Sequence, residues 1–385
     1  MTQRRSARVA VGAVFLINGF GFGTFLPRLP EIQQRLGLSD AGLGAALTGA
    51  GLGGLIGSLA AGPIVSRLGS RRTTLAAGTL LGIALFPLGI APSGVVLAIA
   101  LAVVGFADAV TDIAMNAHGM RVQKLYPRPI INSFHAGWSV GAMSGALLGS
   151  LAVALAIPLP AQMAVLAVLV VVAIWVAVAS FLADDPAGAV VPGVRPRLRG
   201  LGTLAVVALG TGIIEGAPAD WGAVYLEGTV GARAAVAGLG YTVFAGTMLV
   251  GRMLADRAVH RFGRVAIVRV GSLLGVAGFL TALAFPTVWG VMVGFAVAGI
   301  GLAALFPAMF AAGSEVPGLG EGVGIAGTSL LARIGFMVGP LTIGALADAT
   351  SSLRWGLLVA PLAGLVVAVA ARAVGERHTL EPLEM

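Results

Sequence analysis

The sequence predicts an all-α integral membrane fold: twelve transmembrane helices in two pseudo-symmetric six-helix bundles around a central cavity. Three observations carry this prediction. Of 385 residues, 58% are hydrophobic and only 10% are charged, with a mean hydropathy of +0.98 and no polar run long enough for a soluble domain. The apolar stretches leave room for about a dozen helices of the ~20 residues that a bilayer requires. Basic residues fall in clusters between alternate stretches, the bias that marks cytoplasmic loops.

In chain order, hydropathy and Pro/Gly punctuation predict helices over 8–28, 40–65, 73–91, 95–120, 131–155 and 161–182. A second set follows over 201–226, 234–256, 265–285, 288–312, 322–346 and 352–373. Between the sets, 184–199 carries Pro186, Pro192, Pro196 and three arginines, and reads as a cytoplasmic linker joining a first bundle (1–183) to a second (200–385). Arg4, Arg5 and Arg8 imitate a signal sequence, but no convincing cleavage site follows and more spans do, so a retained first helix is expected.

Of the 24 Lys and Arg, only Arg28, Arg35, Arg233 and Arg354 fall on one side of the predicted spans, and Arg333 lies inside one. The remainder, Arg252 included, fall on the other. The chain is thereby expected as a multi-pass protein of the plasma or inner membrane with both termini cytoplasmic. The same clustering accounts for the net charge of +8 without invoking nucleic acid. With no Cys, disulfides and thiolate metal sites are excluded.

Small residues recur every four positions as Gly49, Gly53, Gly57, Ala61 and as Gly137, Gly141, Gly145, Gly149. Such stripes let helices approach closely. They serve either a rocking interface between halves or static packing, and the sequence does not choose between them.

Polar groups inside apolar spans are costly, so they mark a site or a structural partner. Asp108, Asp112 and Asn116 stack at four-residue intervals on one face of the fourth predicted helix. Glu215 falls near mid-depth in the seventh, with Asp220 and Trp221 further outward. Arg333 is a lone cation in the eleventh, read as an ion-pair partner for one of these acids or as a ligand for an anionic substrate group. Asn18 is the neutral mid-depth group of the first helix. His135 offers either a proton relay or an interhelical hydrogen bond. Trp138, Tyr241 and Trp221 offer rings for stacking or packing. GAGLGG at Gly49–Gly54 matches a dinucleotide-binding fingerprint in spelling only, because it lies inside an apolar span. Four scattered histidines make no metal cage, and neither a cofactor nor an enzymatic activity is expected.

The basic loops after the second and eighth helices, GPIVSRLGSRR (62–72) and GRMLADRAVHRFGR (251–264), resemble the signature of the major facilitator superfamily. Pairing Ser66-Arg67 with Asp256-Arg257 sets the internal repeat at 190 residues. TDIAMNAHG (111–119), SFHAGWSVGAMSGALLG (133–149) and EGAPADWGAVYL (215–226) are similar to a branch of bacterial inner-membrane proteins near the fucose:proton symporters. The resemblance implies the superfamily fold, alternating access, and a cytoplasmic gate at Arg67, Asp256 and Arg257, with the acidic role resting on Asp256 because Ser66 is neutral. It also implies a protonatable acid in the fourth helix.

The expected function is secondary active transport of a small polar solute, of the sugar or organic-acid class, as proton symport. Asp112, Glu215, Asp108 and His135 are the candidates for protons. Asn18, Asn116, Trp138, Asp220, Trp221, Tyr241 and Arg333 are the candidates for substrate. The expected partners are the solute, protons and membrane lipid, with the protein a monomer. Proton-driven efflux of amphipathic compounds, or a non-transporting receptor or scaffold, are the alternatives.

Overall fold

The computed structural model describes residues 3–127, 130–184, 201–316 and 321–375, apart from the side chains at 132, 256 and 321–323. The expected linker therefore falls outside the described residues except for Asp184.

The described residues are helical throughout, with no strand among them. The first half contains α1 (Gln3–Phe25), a short amphipathic α2 (Leu29–Leu36), α3 (Asp40–Leu68), α4 (Ser70–Ile90), α5 (Gly94–Gln123), α6 (Ile131–Ala154) and α7 (Leu159–Ala179). The second contains α8 (Thr203–Val224), a single turn α9 (Ala234–Ala237), α10 (Leu239–Phe262), α11 (Arg264–Ala284), α12 (Val288–Leu302), α13 (Leu305–Ser314), α14 (Glu321–Thr350), α15 (Leu353–Gly356) and α16 (Val359–Ala370). Eleven of the described segments have the length and apolarity to cross a bilayer. The twelfth span, α8, is diluted by Glu215, Pro218 and Asp220. Two departures from the expected pattern stand out: α2 is an extra helix, and the tenth span breaks between α12 and α13.

Local chemistry explains where the helices begin and end. Ser39 and Ser93 accept the Gly42 and Val96 backbone N–H groups at 3.1 and 3.3 Å, capping α3 and α5. Gly37 closes α2 at φ 59°, a left-handed turn that a Cβ would oppose. Gly69 (φ 83°, ψ 160°) and Gly263 (φ 78°, ψ 157°) make matching corners, each followed at once by a helix. Those corners place the internal repeat at 194 residues, one helical turn from the 190 read from sequence. In that register Arg67 matches Arg261, and His260 takes the position opposite Ser66.

Packing repeats between the halves. Counting spans, the first packs on the fifth (α1 on α6), the second on the fourth (α3 on α5) and the third on the sixth (α4 on α7). The second half repeats this as α8 on α14, α10 on α12 and α11 on α16. The glycine stripes answer to pairings within a half. A Cβ at Gly53 would collide with the backbone of Ala102 on α5, and one at Gly141 with Leu16 on α1, so the backbones touch and static packing is their role. The halves meet along α3 with α14 and α6 with α10, near the start of α3 and the end of α14, where Gly44 abuts Pro340 and Gly344 abuts Asp40. Large apolar side chains such as Ile99, Val168, Val176 and Val369 remain exposed on the perimeter, as a lipid-facing surface requires.

Candidate functional site

A cavity of about 350 Å³ lies between the halves, walled mainly by α1, α3, α4, α5, α6, α8, α10 and α14. Its size suits a small molecule. Most of the lining is apolar, and its polar groups form a small number of specific pairs.

The first chain of contacts joins three helices. Trp138 on α6 donates its Nε1–H to Asn18 Oδ1 at 2.7 Å, and Asn18 on α1 donates its Nδ2–H to Asp108 Oδ1 on α5 at 2.8 Å. Because an indole only donates, the Asn18 amide must turn its oxygen to Trp138 and its nitrogen to Asp108. Asn18 is only 4% exposed. It is therefore held by its two neighbours while lining the cavity.

The second cluster crosses the seam. Arg252 on α10 donates to Ser139 Oγ on α6 at 3.0 Å and lies 3.4 Å from Glu215 Oε1 on α8. Glu215 Oε2 is buried and has no hydrogen-bond partner among the described residues. Arg252 corrects the sequence reading, which counted it among cytoplasmic loop residues. It stands ten residues before the end of α10, and its guanidinium turns into the cavity.

The third cluster also crosses the seam. Arg333 Nη2 on α14 lies 3.8 Å from Asp112 Oδ2 on α5, and Asn116 donates to Asp112 Oδ1 at 3.0 Å. Arg333 lines the cavity, whereas Asp112 and Asn116 sit one and two turns beyond Asp108, outside its wall. Asp220 and Tyr241 line it.

Other predicted residues lie elsewhere. Trp221 is fully buried and does not line the cavity. One residue along α8 from Asp220, it points about 100° away, into the packed core of the second half. His135 is exposed, meets the Phe15 ring edge-on at 5.1 Å, and lies outside the cavity. Arg67 and Arg257 are exposed near the ends of α3 and α10. The Asp256 side chain lies outside the described residues.

Near the end of α3 that carries Arg67, a network not anticipated from sequence straps the chain after α7 to α4 and α5. Asp184 accepts the Arg71 and Arg72 backbone N–H groups at 2.8 and 3.1 Å, capping α4, and pairs with Arg121 at 3.6 Å. The Leu182 N–H donates to His118 Nε2 at 3.1 Å, so Nδ1 carries the ring proton and donates to Ser70 Oγ at 2.9 Å. In the second half, Arg264 at the start of α11 pairs with Glu315 at 2.6 Å.

Comparison with known proteins fits this architecture. A family model described as Major Facilitator Superfamily matches residues 11–225. An uncharacterized transporter of Sinorhizobium fredii is 32% identical, over 94% of this chain and 96% of its own length. An uncharacterized MFS-type transporter of Yersinia pestis is 31% identical over 96% of each. Among solved structures, a mutant of the nucleoside transporter NupG superimposes with a TM-score of 0.80 at 12% identity, covering 96% of this chain and all of that one. A bacterial homolog of the human lysosomal transporter Spinster, in an inward-facing, occupied conformation, gives 0.74 at 14% identity, covering 97% of this chain and 96% of that one. At such identities the likeness is one of fold. The family model and the curated relatives together show that the chain belongs to the major facilitator superfamily.

Proposed function

We propose that the protein moves a small polar solute by alternating access, with protons as the coupling ion in symport. One observation carries the reading. Acids from both halves and two arginines from the second converge on or beside a cavity at the seam, and two of their contacts cross it. Opening the closed end would separate α3 from α14 and α6 from α10, and so would change the surroundings of Arg333 and Arg252 together. Taking up a proton removes a carboxylate's charge before the site closes around it. Asp108, Asp112 and Glu215 are the proton carriers in this scheme. A carboxylate substrate would compete with Asp112 for Arg333 and with Glu215 for Arg252, so the geometry favours a solute that brings no negative charge.

The division into 1–183, a linker at 184–199 and 200–385 belongs to the same proposal. So does the sidedness. With both termini cytoplasmic, the closed end faces outward, the cavity belongs to the inward-facing half of the cycle, and Arg67, Asp256 and Arg257 lie at the cytoplasmic gate. Uptake into proteoliposomes tests the coupling. One proton falling through 100 mV supplies about 2.3 kcal/mol, enough for roughly 50-fold accumulation of a neutral solute. Uptake indifferent to both the pH gradient and the voltage would remove protons from the mechanism.

A further inference from the structure

One part of the cavity is lined by rings. Phe22 on α1 lies 6.1 Å from Trp138 and 6.2 Å from Tyr241, centroid to centroid, and Tyr241 lies 6.1 Å from Phe244. Phe22 is 44% exposed although it sits mid-molecule, because its ring faces the cavity. Tyr241 is only 8% exposed, and its hydroxyl has no hydrogen-bond partner among the described residues. Asp220 shares this wall and makes neither an ion pair nor a hydrogen bond among the described residues.

The charges around the cavity are unequal. Arg333 is engaged by Asp112, and Arg252 by Glu215 and Ser139. Asp108 is hydrogen-bonded only by the neutral Asn18 and makes no ion pair, sharing the field of Arg333 with Asp112. Asp220 is therefore a carboxyl group with no cation paired to it among the described residues, in a cavity whose ring faces are themselves negative. On this side of the cavity, away from the arginine pairs, an anion would meet both repulsions. A cation would satisfy the acid and the rings at once, and the Tyr241 hydroxyl oxygen could accept an N–H from it.

We propose that this chamber takes a compact organic cation, an alkylammonium or similar amine, with its nitrogen against Asp220 and over the rings of Phe22, Trp138 and Tyr241. The inference rests on the transporter reading and names the class of its substrate. The cavity volume suits a small molecule. Aromatic faces hold the alkyl groups on the nitrogen, while Asp220 supplies the counter-charge.

The test uses the purified full chain. Choline and cyclohexylammonium are titrated against their neutral counterparts, the carbon isostere of choline and cyclohexanol, and against cyclohexanecarboxylate, with thermal shift and tryptophan fluorescence as readouts. Each ammonium probe is expected to bind at least about tenfold more tightly than its neutral counterpart, with no binding of the carboxylate. Asp220→Asn should abolish that preference, Asp220→Glu should retain it, and Tyr241→Leu should weaken the ammonium probes alone. Equal binding of charged and neutral probes, tighter binding of the carboxylate, or a preference that survives Asp220→Asn would overturn the inference. The charged-against-neutral comparison is made on the unaltered protein, so it does not depend on any variant folding. A probe that binds as expected but is never accumulated in proteoliposomes supports the cation site and overturns the transport reading instead.

Discussion

Arg333 and Asp112 face each other across the two halves of the molecule, Nη2 to Oδ2 at 3.8 Å, one anchored on α14 and the other on α5. The pair is weak as a brace. Asp112 is 39% exposed at the side chain, which places the contact near the surface-pair regime of about 1 kcal/mol or less. In the proposed transport cycle its role is to sense the distance between the halves.

Neutralising either partner is expected to leave folding nearly intact and to impair transport. Arg333→Gln and Asp112→Asn should each lower thermal stability by no more than about 1 kcal/mol. The double variant should unfold no earlier than the singles. Unfolding in detergent followed by uptake assays reads both effects, and a large stability loss in either single variant would make the pair a structural bond.

Glu215 is expected to carry coupling. In Glu215→Gln, solute-driven exchange should persist while the accumulation driven by a pH gradient at zero voltage is lost, because the proton no longer contributes its share of the driving force. Comparing counterflow with gradient-driven uptake in the same vesicles decides the point. A variant that still accumulates solute in response to the pH gradient would move coupling to Asp108 or Asp112.

Asn18→Ala removes the amide that joins Trp138 to Asp108. Two hydrogen bonds are lost and two half-buried groups are left without their partner, a cost of up to about 1–3 kcal/mol for each such group. Lower thermal stability and altered Trp138 fluorescence are expected together. Asn18→Asp, which keeps an acceptor for Trp138 but sets two carboxyl groups side by side, should be worse than Asn18→Gln.

Closure at the seam can be trapped. Thr48 Oγ1 donates to the Met337 backbone oxygen at 3.3 Å across α3 and α14, and the chain has no native cysteine to react in its place. Thr48→Cys with Met337→Cys, joined by a short bifunctional thiol reagent, should stop transport reversibly. Full activity in the cross-linked protein would mean that this end never opens.

Asp184→Ala should loosen the strap behind α7. The lost cap on α4 costs about 1 kcal/mol, and the Arg121 partner goes with it. Hydrogen exchange should rise at the start of α4 before any change elsewhere.

Much of this site was legible in the sequence, for a physical reason. Asp108, Glu215 and Arg333 are charges inside runs that must cross lipid, so their presence alone flagged them. Arg252 was hidden because Arg257, Arg261, Arg264 and Arg269 follow it, and the charge count assigned it to that basic cluster although it falls within the predicted span 234–256. Trp221 was misplaced because spacing along a helix gives relative direction but no absolute bearing toward a neighbour. The extra helix α2 lay behind Pro27 and Pro30, which imitate a loop yet occupy the first turns of helices. The repeat was found one turn out of register because its decisive marker is the backbone of Gly69 and Gly263, which letters do not display.

The seam between α3 and α14 bears on speed as well as on structure. Gly44 against Pro340 and Gly344 against Asp40 bring main chain against main chain, with no large side chain interlocked at those points. Parting such surfaces needs no rotamer to be unlocked, and the separated faces can be wetted or covered by lipid as they appear. In the proposed cycle, the barrier to the conformational step falls mainly on the few polar contacts over the cavity, which a bound solute and its proton would alter. Turnover should respond more steeply to changes at Arg252 and Arg333 than to changes in the bulk of the helices that move.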